Sequence, residues 1–138
     1  MQRITTSNAA DRSPTWSPNG NQLAFVSNRG GSFSLYIYDF ADNEVTLLAQ
    51  NASDPSWSPT GTQIAYVSGG DLFVVSVASG TINQVTTFGT VQSGAWSPNG
   101  TQLVFSAGGD LWITAVFEGT PNQITSGTEV DIDPAWWR

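Results

Sequence analysis

The sequence predicts an all-β fold assembled from repeated four-stranded sheets, on three observations. One phrase recurs, as Trp16-Ser17-Pro18-Asn19-Gly20, Trp57-Ser58-Pro59-Thr60-Gly61 and Trp96-Ser97-Pro98-Asn99-Gly100, with a broken fourth copy at Asp133-Pro134-Ala135-Trp136-Trp137. The tryptophans stand 41, 39 and 40 residues apart, and a fixed period of this length marks a repeat architecture. Within each repeat, short runs alternate apolar and polar residues, no segment carries a helical period, and Gly and Pro supply 21 of 138 residues, as many tight turns require.

Each element follows from its residues. Ser13-Pro14-Thr15, Asp54-Pro55-Ser56, Ser93-Gly94-Ala95 and Asp133-Pro134-Ala135 lead into the tryptophans as a short inner strand, entered through Pro where its missing N–H is harmless. Ser-Pro-[Asn/Thr]-Gly is a turn, with Pro presetting φ and Gly accepting the positive φ that follows. A second strand alternates through Gln22–Ser27, Gln63–Ser68 and Gln102–Ser106, which puts Leu23 with Phe25, and Ile64 with Tyr66, on one face. Gly-rich hairpin turns follow at Asn28–Ser32, Gly69–Asp71 and Gly108–Asp110, the first being longer. The third strands, Leu35–Tyr38, Leu72–Val75 and Leu111–Thr114, are almost continuously apolar, as for a strand covered on both faces. The fourth, Val45–Leu48, Gln84–Thr86 and Gln123–Thr125, are short and polar, the profile of an outer edge.

One such sheet has two apolar faces, which it buries by stacking on its neighbours; stacked radially, the sheets form a β-propeller. The consensus Pro-x-Trp-Ser-Pro-[Asn/Thr]-Gly-x-Gln-[Leu/Ile]-[Ala/Val]-[Phe/Tyr] resembles the TolB-type, WD-like propeller repeat, also found in propeller domains attached to prolyl-oligopeptidase-type peptidases. The family's Asp before Gly is Asn19, Thr60 and Asn99 here, and its Asp five residues before Trp is kept at Asp11 and Asp131 but is Ala52 and Val91 elsewhere. The resemblance implies a protein-binding propeller with a periplasmic or extracellular location. Residues 1–138 then read as a partial propeller, with repeats at about 7–48, 49–87 and 88–126 and terminal strands at 2–6 and 133–137. Arg3-Ile4-Thr5-Thr6 is assigned as an outer strand because it matches Gln123-Ile124-Thr125-Ser126.

This count of fourteen strands makes three whole blades with overlapping ends, short of the four to eight blades of a closed ring. Completion by a second copy into a six-bladed ring, at about 60° per blade, is the expected repair. An excised piece of a longer propeller is the alternative.

Chemistry narrows the function. Eleven acids against four arginines, with no lysine, give a net charge of −7, which disfavours nucleic acid and anionic membrane surfaces. No apolar run is long enough for a membrane span, and Met1–Thr5 reads as repeat rather than signal peptide. Without histidine, cysteine or lysine the chain has no Ser–His–Asp or Cys–His nucleophilic site, no His- or Cys-ligated zinc and no Schiff-base lysine. It is therefore expected to be non-enzymatic and to need no cofactor. Asp131 and Asp133, two apart, with Asp11 at the position equivalent to Asp131, leave open carboxylate catalysis of the glycosidase kind or a hard cation such as Ca²⁺, against the plainer reading that they fix the turn. Trp16, Trp57 and Trp96 are expected to pack between blades. The expected binding face is the set of loops entering the inner strands, where Asp11, Arg12, Asp54, Gln92, Asp131 and Asp133 stand. Arg12, the basic group there, suits a protein or peptide carboxylate, while a carbohydrate or other small ligand is the alternative at the same mouth.

Overall fold

A computed structural model describes residues 3–117, 119–127, 130–132, 134 and 135. Twelve strands are formed among them, in three antiparallel meanders of four. Blade 1 holds β1 (Asp11–Trp16), β2 (Gln22–Ser27), β3 (Ser34–Asp39) and β4 (Glu44–Ala49). Blade 2 holds β5 (Ser53–Trp57), β6 (Gln63–Ser68), β7 (Asp71–Ser76) and β8 (Ile82–Gln84). Blade 3 holds β9 (Val91–Trp96), β10 (Gln102–Ala107), β11 (Asp110–Ala115) and β12 (Asn122–Gln123).

The recurring phrase builds one turn three times. In blade 1 the Ser17 N–H donates to the Gln22 carbonyl and the Gly20 N–H to the Ser17 carbonyl, both at 2.9 Å. The Ser17 hydroxyl accepts from the Gln22 N–H at 3.0 Å and donates to Asn19 Oδ1 at 2.8 Å. Ser58 and Ser97 repeat the pattern, and all three serines are buried. The turns also stack: a Cβ on Gly61 would lie 3.6 Å from the Pro18 ring, and one on Gly100 would lie 3.6 Å from the Pro59 ring.

Period-two alternation gives each sheet two apolar faces. On one, here the leading face, the register places Trp57, Ile64, Tyr66, Phe73 and Val75 in blade 2, and Trp96, Leu103, Phe105 and Trp112 in blade 3. The trailing face carries Ala24, Leu35 and Ile37 in blade 1, and Ala65, Val67, Leu72 and Val74 in blade 2. Leading face meets trailing face at both seams. Trp57, Ile64, Tyr66 and Val75 share one core with Ala24, Leu35 and Ile37. Trp96, Leu103 and Phe105 share the next with Ala65, Leu72 and Val74. Each tryptophan also donates its indole N–H across its seam, Trp57 to the Thr15 carbonyl at 3.1 Å and Trp96 to the Ser56 carbonyl at 2.9 Å.

Two expectations change, and a third is untested. Arg3–Thr6 is not a strand, because an outer strand pairs with a third strand and among the described residues none lies beside this segment. The segment crosses the leading face of blade 1 instead, with Ile4 packed on Leu23, Phe25, Tyr36 and Tyr38. The expected terminal strand at 133–137 falls mostly outside the described residues. The outer strands of blades 2 and 3 lie earlier than expected, since Val85 and Thr86 both turn their N–H groups to the Leu72 carbonyl, and the Thr86 hydroxyl accepts from the Leu72 N–H.

Candidate functional site

The inner strands β1, β5 and β9 stand side by side, and residues from all three line a central cavity of about 380 Å³. Its walls are the residues just before each tryptophan, Ser13-Pro14-Thr15, Asp54-Pro55-Ser56 and Ser93-Gly94, with Pro134. Ser13 (φ 52°) and Asp54 (φ 50°) are left-handed, and each lies inside a break of register, between Arg12 and Thr15 and between Ser53 and Ser56. Such bulges re-aim side chains, here along the cavity wall. Blade 3 departs because Gly94 replaces the proline. Its register break moves to Gln92, between Val91 and Ser93. A Cβ on Gly94 would stand 3.0 Å from Leu72 Cδ1, so Leu72 of the neighbouring blade occupies the room that a side chain would need.

The structure divides the five described candidate residues rather than gathering them. Asp54 faces the central cavity. Asp11 and Arg12 line a second cavity, of about 220 Å³, with Ile4, Thr5, Pro14, Leu23 and Phe25 on the leading side of blade 1. Gln92 is exposed at its bulge, and Asp131 is half-buried with its N–H donating to the Gly109 carbonyl at 2.9 Å. Asp133 lies outside the described residues, as do Glu129, Trp136 and Trp137.

Asp11 is already engaged. It pairs with Arg29 at 3.0 Å and accepts from the Thr5 hydroxyl at 2.6 Å. Burial opposes its ionisation, but hydrogen bonds from Ser27, Thr5 and Arg29, with the Arg29 charge, outweigh that and hold its carboxyl below the usual range. Arg29 in turn lies over the Phe25 and Tyr36 rings, 5.0 and 5.1 Å from their centroids. Arg12 is exposed, with its guanidinium 3.6 Å from the Phe33 ring centroid and no carboxylate partner among the described residues. Among the described residues no three Asp, Glu, His or Cys side chains gather as a metal site.

Sequence reasoning missed the two features that stand out most. Phe33, in the longer first hairpin, supports Arg12 from 21 positions away, and no spacing signals that pairing. Trp16 is 57% exposed, whereas Trp57 and Trp96 are 8% and 5% exposed. Packing between blades therefore holds for two of the three repeat tryptophans. Trp16 stacks only on Phe40, at 5.2 Å between ring centroids, and its indole N–H has no partner among the described residues.

Comparison with known proteins agrees with this architecture. Residues 30–95 match the family described as the dipeptidyl peptidase IV N-terminal region. A stretch of 47 residues is 38% identical to the TolB homolog of Protochlamydia amoebophila, covering 34% of this chain and 10% of that protein. TolB from Acinetobacter baumannii superposes with a TM-score of 0.79 at 16% identity, over 94% of this chain and 35% of that one. An oligogalacturonate lyase from Vibrio parahaemolyticus superposes with a TM-score of 0.75 at 12% identity, over 88% of this chain and 42% of that one. The chain thus spans about a third of the A. baumannii TolB chain. The three sheets are blades of a TolB-like β-propeller.

Proposed function

We propose that this propeller segment is a non-catalytic interaction module whose principal binding surface is the leading face of blade 1. The observation that carries the reading is the contrast between Trp16 and its equivalents: the same residue is buried and hydrogen-bonded wherever a blade precedes it, and uncovered where none does. Trp16 and Phe40 are exposed at the edge of this face, while Leu23, Phe25, Tyr36 and Tyr38 are buried with Ile4 packed on them; an exposed aromatic pair is the sort of surface that marks association. The lack of His, Cys and Lys in this chain supports a role without Ser–His–Asp, Cys–His or Schiff-base chemistry. The resemblance to TolB proteins supports a periplasmic or extracellular location.

Light scattering across a concentration series tests this. The chain is expected to exceed its 14.7 kDa monomer mass, and Trp16→Glu to return it to monomer. A chain that stays monomeric at its highest soluble concentration would remove the reading. A second reading, a protein or peptide partner held at the inner-strand mouth, is favoured by Arg12, whose charge is presented on the Phe33 ring without a carboxylate partner among the described residues.

A further inference from the structure

We infer that the outer edge of blade 1 takes an extended, basic segment of a partner protein, which adds to β4 as a fifth strand and sets a lysine or arginine side chain in the acidic groove beside it. This goes beyond the association of the leading face and rests on a different part of the blade. The outermost strand of each sheet has one edge with no strand against it among the described residues. Along such an edge alternate N–H and C=O groups point away from the sheet. Blades 2 and 3 keep that edge short, since β8 runs for 3 residues and β12 for 2. In blade 2 the chain then leaves the ladder, where the Val85 and Thr86 N–H groups converge on the Leu72 carbonyl. β4 runs for 6 residues, and at Leu48 it bulges instead of ending. It carries no proline, lysine or arginine, the residues that protect an edge from pairing.

The groove lies on the trailing side of β4, at the rim of the seam between blades 1 and 2, and encloses about 170 Å³. Ile37, Leu48 and Val77 give it an apolar wall, and Asp39, Asp42 and Glu44 an acidic one. Asp39 is fixed by the Gln22 amide at 2.9 Å and the Ala41 N–H at 2.8 Å, and Asp42 by the Glu44 N–H at 3.0 Å. None of the three carboxylates has an arginine partner among the described residues.

The next seam shows the same place closed. Ser76, Ser79 and Thr81 hold the positions of Asp39, Asp42 and Glu44, and Asn83 holds that of Thr46. The Asn83 amide donates across the seam to the Val116 carbonyl at 3.4 Å. Val116 is the counterpart of Val77, each giving its N–H to the turn of its own blade. Thr46, whose hydroxyl sits one bond nearer the backbone, makes no such bridge. The first seam therefore stays open at its rim, with carboxylates at three positions that carry hydroxyls in the second. An unpaired edge offers backbone bonds to any strand, and the carboxylates select a basic one. A second copy of this chain is the poorer occupant, because it brings the same carboxylates and a net charge of −7.

Selection of a phage-displayed library of random heptapeptides on the full chain tests this. Peptides rich in β-branched residues with a lysine or arginine are expected to be enriched. Their synthetic forms are expected to bind more weakly as salt rises. Asp42→Asn with Glu44→Gln keeps the side-chain shapes and is expected to weaken binding about tenfold. Thr46→Asn, which supplies the bridge of the second seam, is expected to abolish binding, as is N-methylation of one of the two alternating sets of peptide amides. Thermal melts check that the variants stay folded, and the charge variant carries the test alone if Thr46→Asn does not. Amide exchange within Glu44–Leu48 is expected to slow on binding. Enrichment of no peptide, or only of peptides without a basic residue, would overturn the inference, as would binding indifferent to the charge variant. Protection of the same edge in a dimer of the chain would assign it to a second copy and also overturn it. Trp16→Glu is expected to leave peptide binding unchanged, so this inference and the leading-face reading fail separately; a loss there would move the peptide to the leading face.

Discussion

Trp16 and Trp57 hold the same place in the same five-residue phrase, yet one is 57% exposed and the other 8%. Their strands, turns and cross-strand neighbours correspond residue by residue, so nothing local separates them. Blade 1 stands in front of Trp57 and offers it Ala24, Leu35, Ile37 and the Thr15 carbonyl. In front of Trp16 lies a segment that contributes one apolar side chain to the face. The phrase specifies a blade; burial of its tryptophan is a property of the pair of blades.

The sharpest test of that contrast is alanine at each tryptophan. Trp57→Ala should cost about 3–5 kcal/mol, since it empties a seam and leaves the Thr15 carbonyl without its donor. Trp16→Ala should cost under about 1 kcal/mol in the monomer, because most of its surface is already in water. Denaturant melts at concentrations too low for association would read both, and equal losses would break the comparison.

The paired glycines extend it to the hairpins. Gly70 and Gly109 are both left-handed, at φ 79° and 88°. A Cβ on Gly70 would meet the Gly89 backbone, whereas one on Gly109 has only Val130 Cγ2, at 3.9 Å. Gly109→Ala should thus carry backbone strain alone, about 1 kcal/mol, and Gly70→Ala about 2–4 kcal/mol with the clash added. Thermal melts that rank the two the other way would refute the close approach of Gly89.

Asp71 and Asp110 follow those glycines and, among the described residues, differ in the same sense. Asp71 Oδ1 accepts from the Thr86 hydroxyl and from the N–H groups of Phe88 and Gly89. Asp110 accepts from the Gln123 amide at 3.1 Å. Asp71→Ala should cost about 2–3 kcal/mol and Asp110→Ala about 0.5 kcal/mol. Faster amide exchange at Phe88 and Gly89 in the Asp71 variant would locate the loss.

The smallest effect concerns Asp11. Its folded pKa lies below the ordinary value, so its contribution to stability is complete above the unfolded carboxyl range of about 3.9 and fades as pH falls through the lowered folded value. Arg29→Gln should move the Asp11 carboxyl back toward the ordinary range in an NMR titration. An unmoved titration would assign the shift to Ser27 and Thr5 alone.

Much of this was legible in the residues. Alternation placed the second and third strands within a residue or so, because cross-strand packing selects apolar residues every second position. The phrase located the first turn of each blade, although the part played by its buried serine hydroxyl was not anticipated. Outer strands were placed late, because Val85-Thr86 has strand-like composition while its N–H groups converge on one carbonyl. The N-terminal strand was misread because pairing needs a partner outside the repeat. The mouth was the least legible part. Bulges at Ser13 and Asp54, and the shifted one at Gln92, decide which side chains share a cavity, and a register break leaves almost no trace in composition.

The stacked turns carry an evolutionary consequence. Gly61 rests on Pro18 and Gly100 on Pro59, so every repeat brings both the ring that its successor sits on and the glycine that sits on its predecessor. A tandem duplication of one forty-residue unit would come with its joint already made. Arrays of this kind can gain or lose members in whole steps without a compensating change elsewhere, and selection then acts chiefly on the two ends.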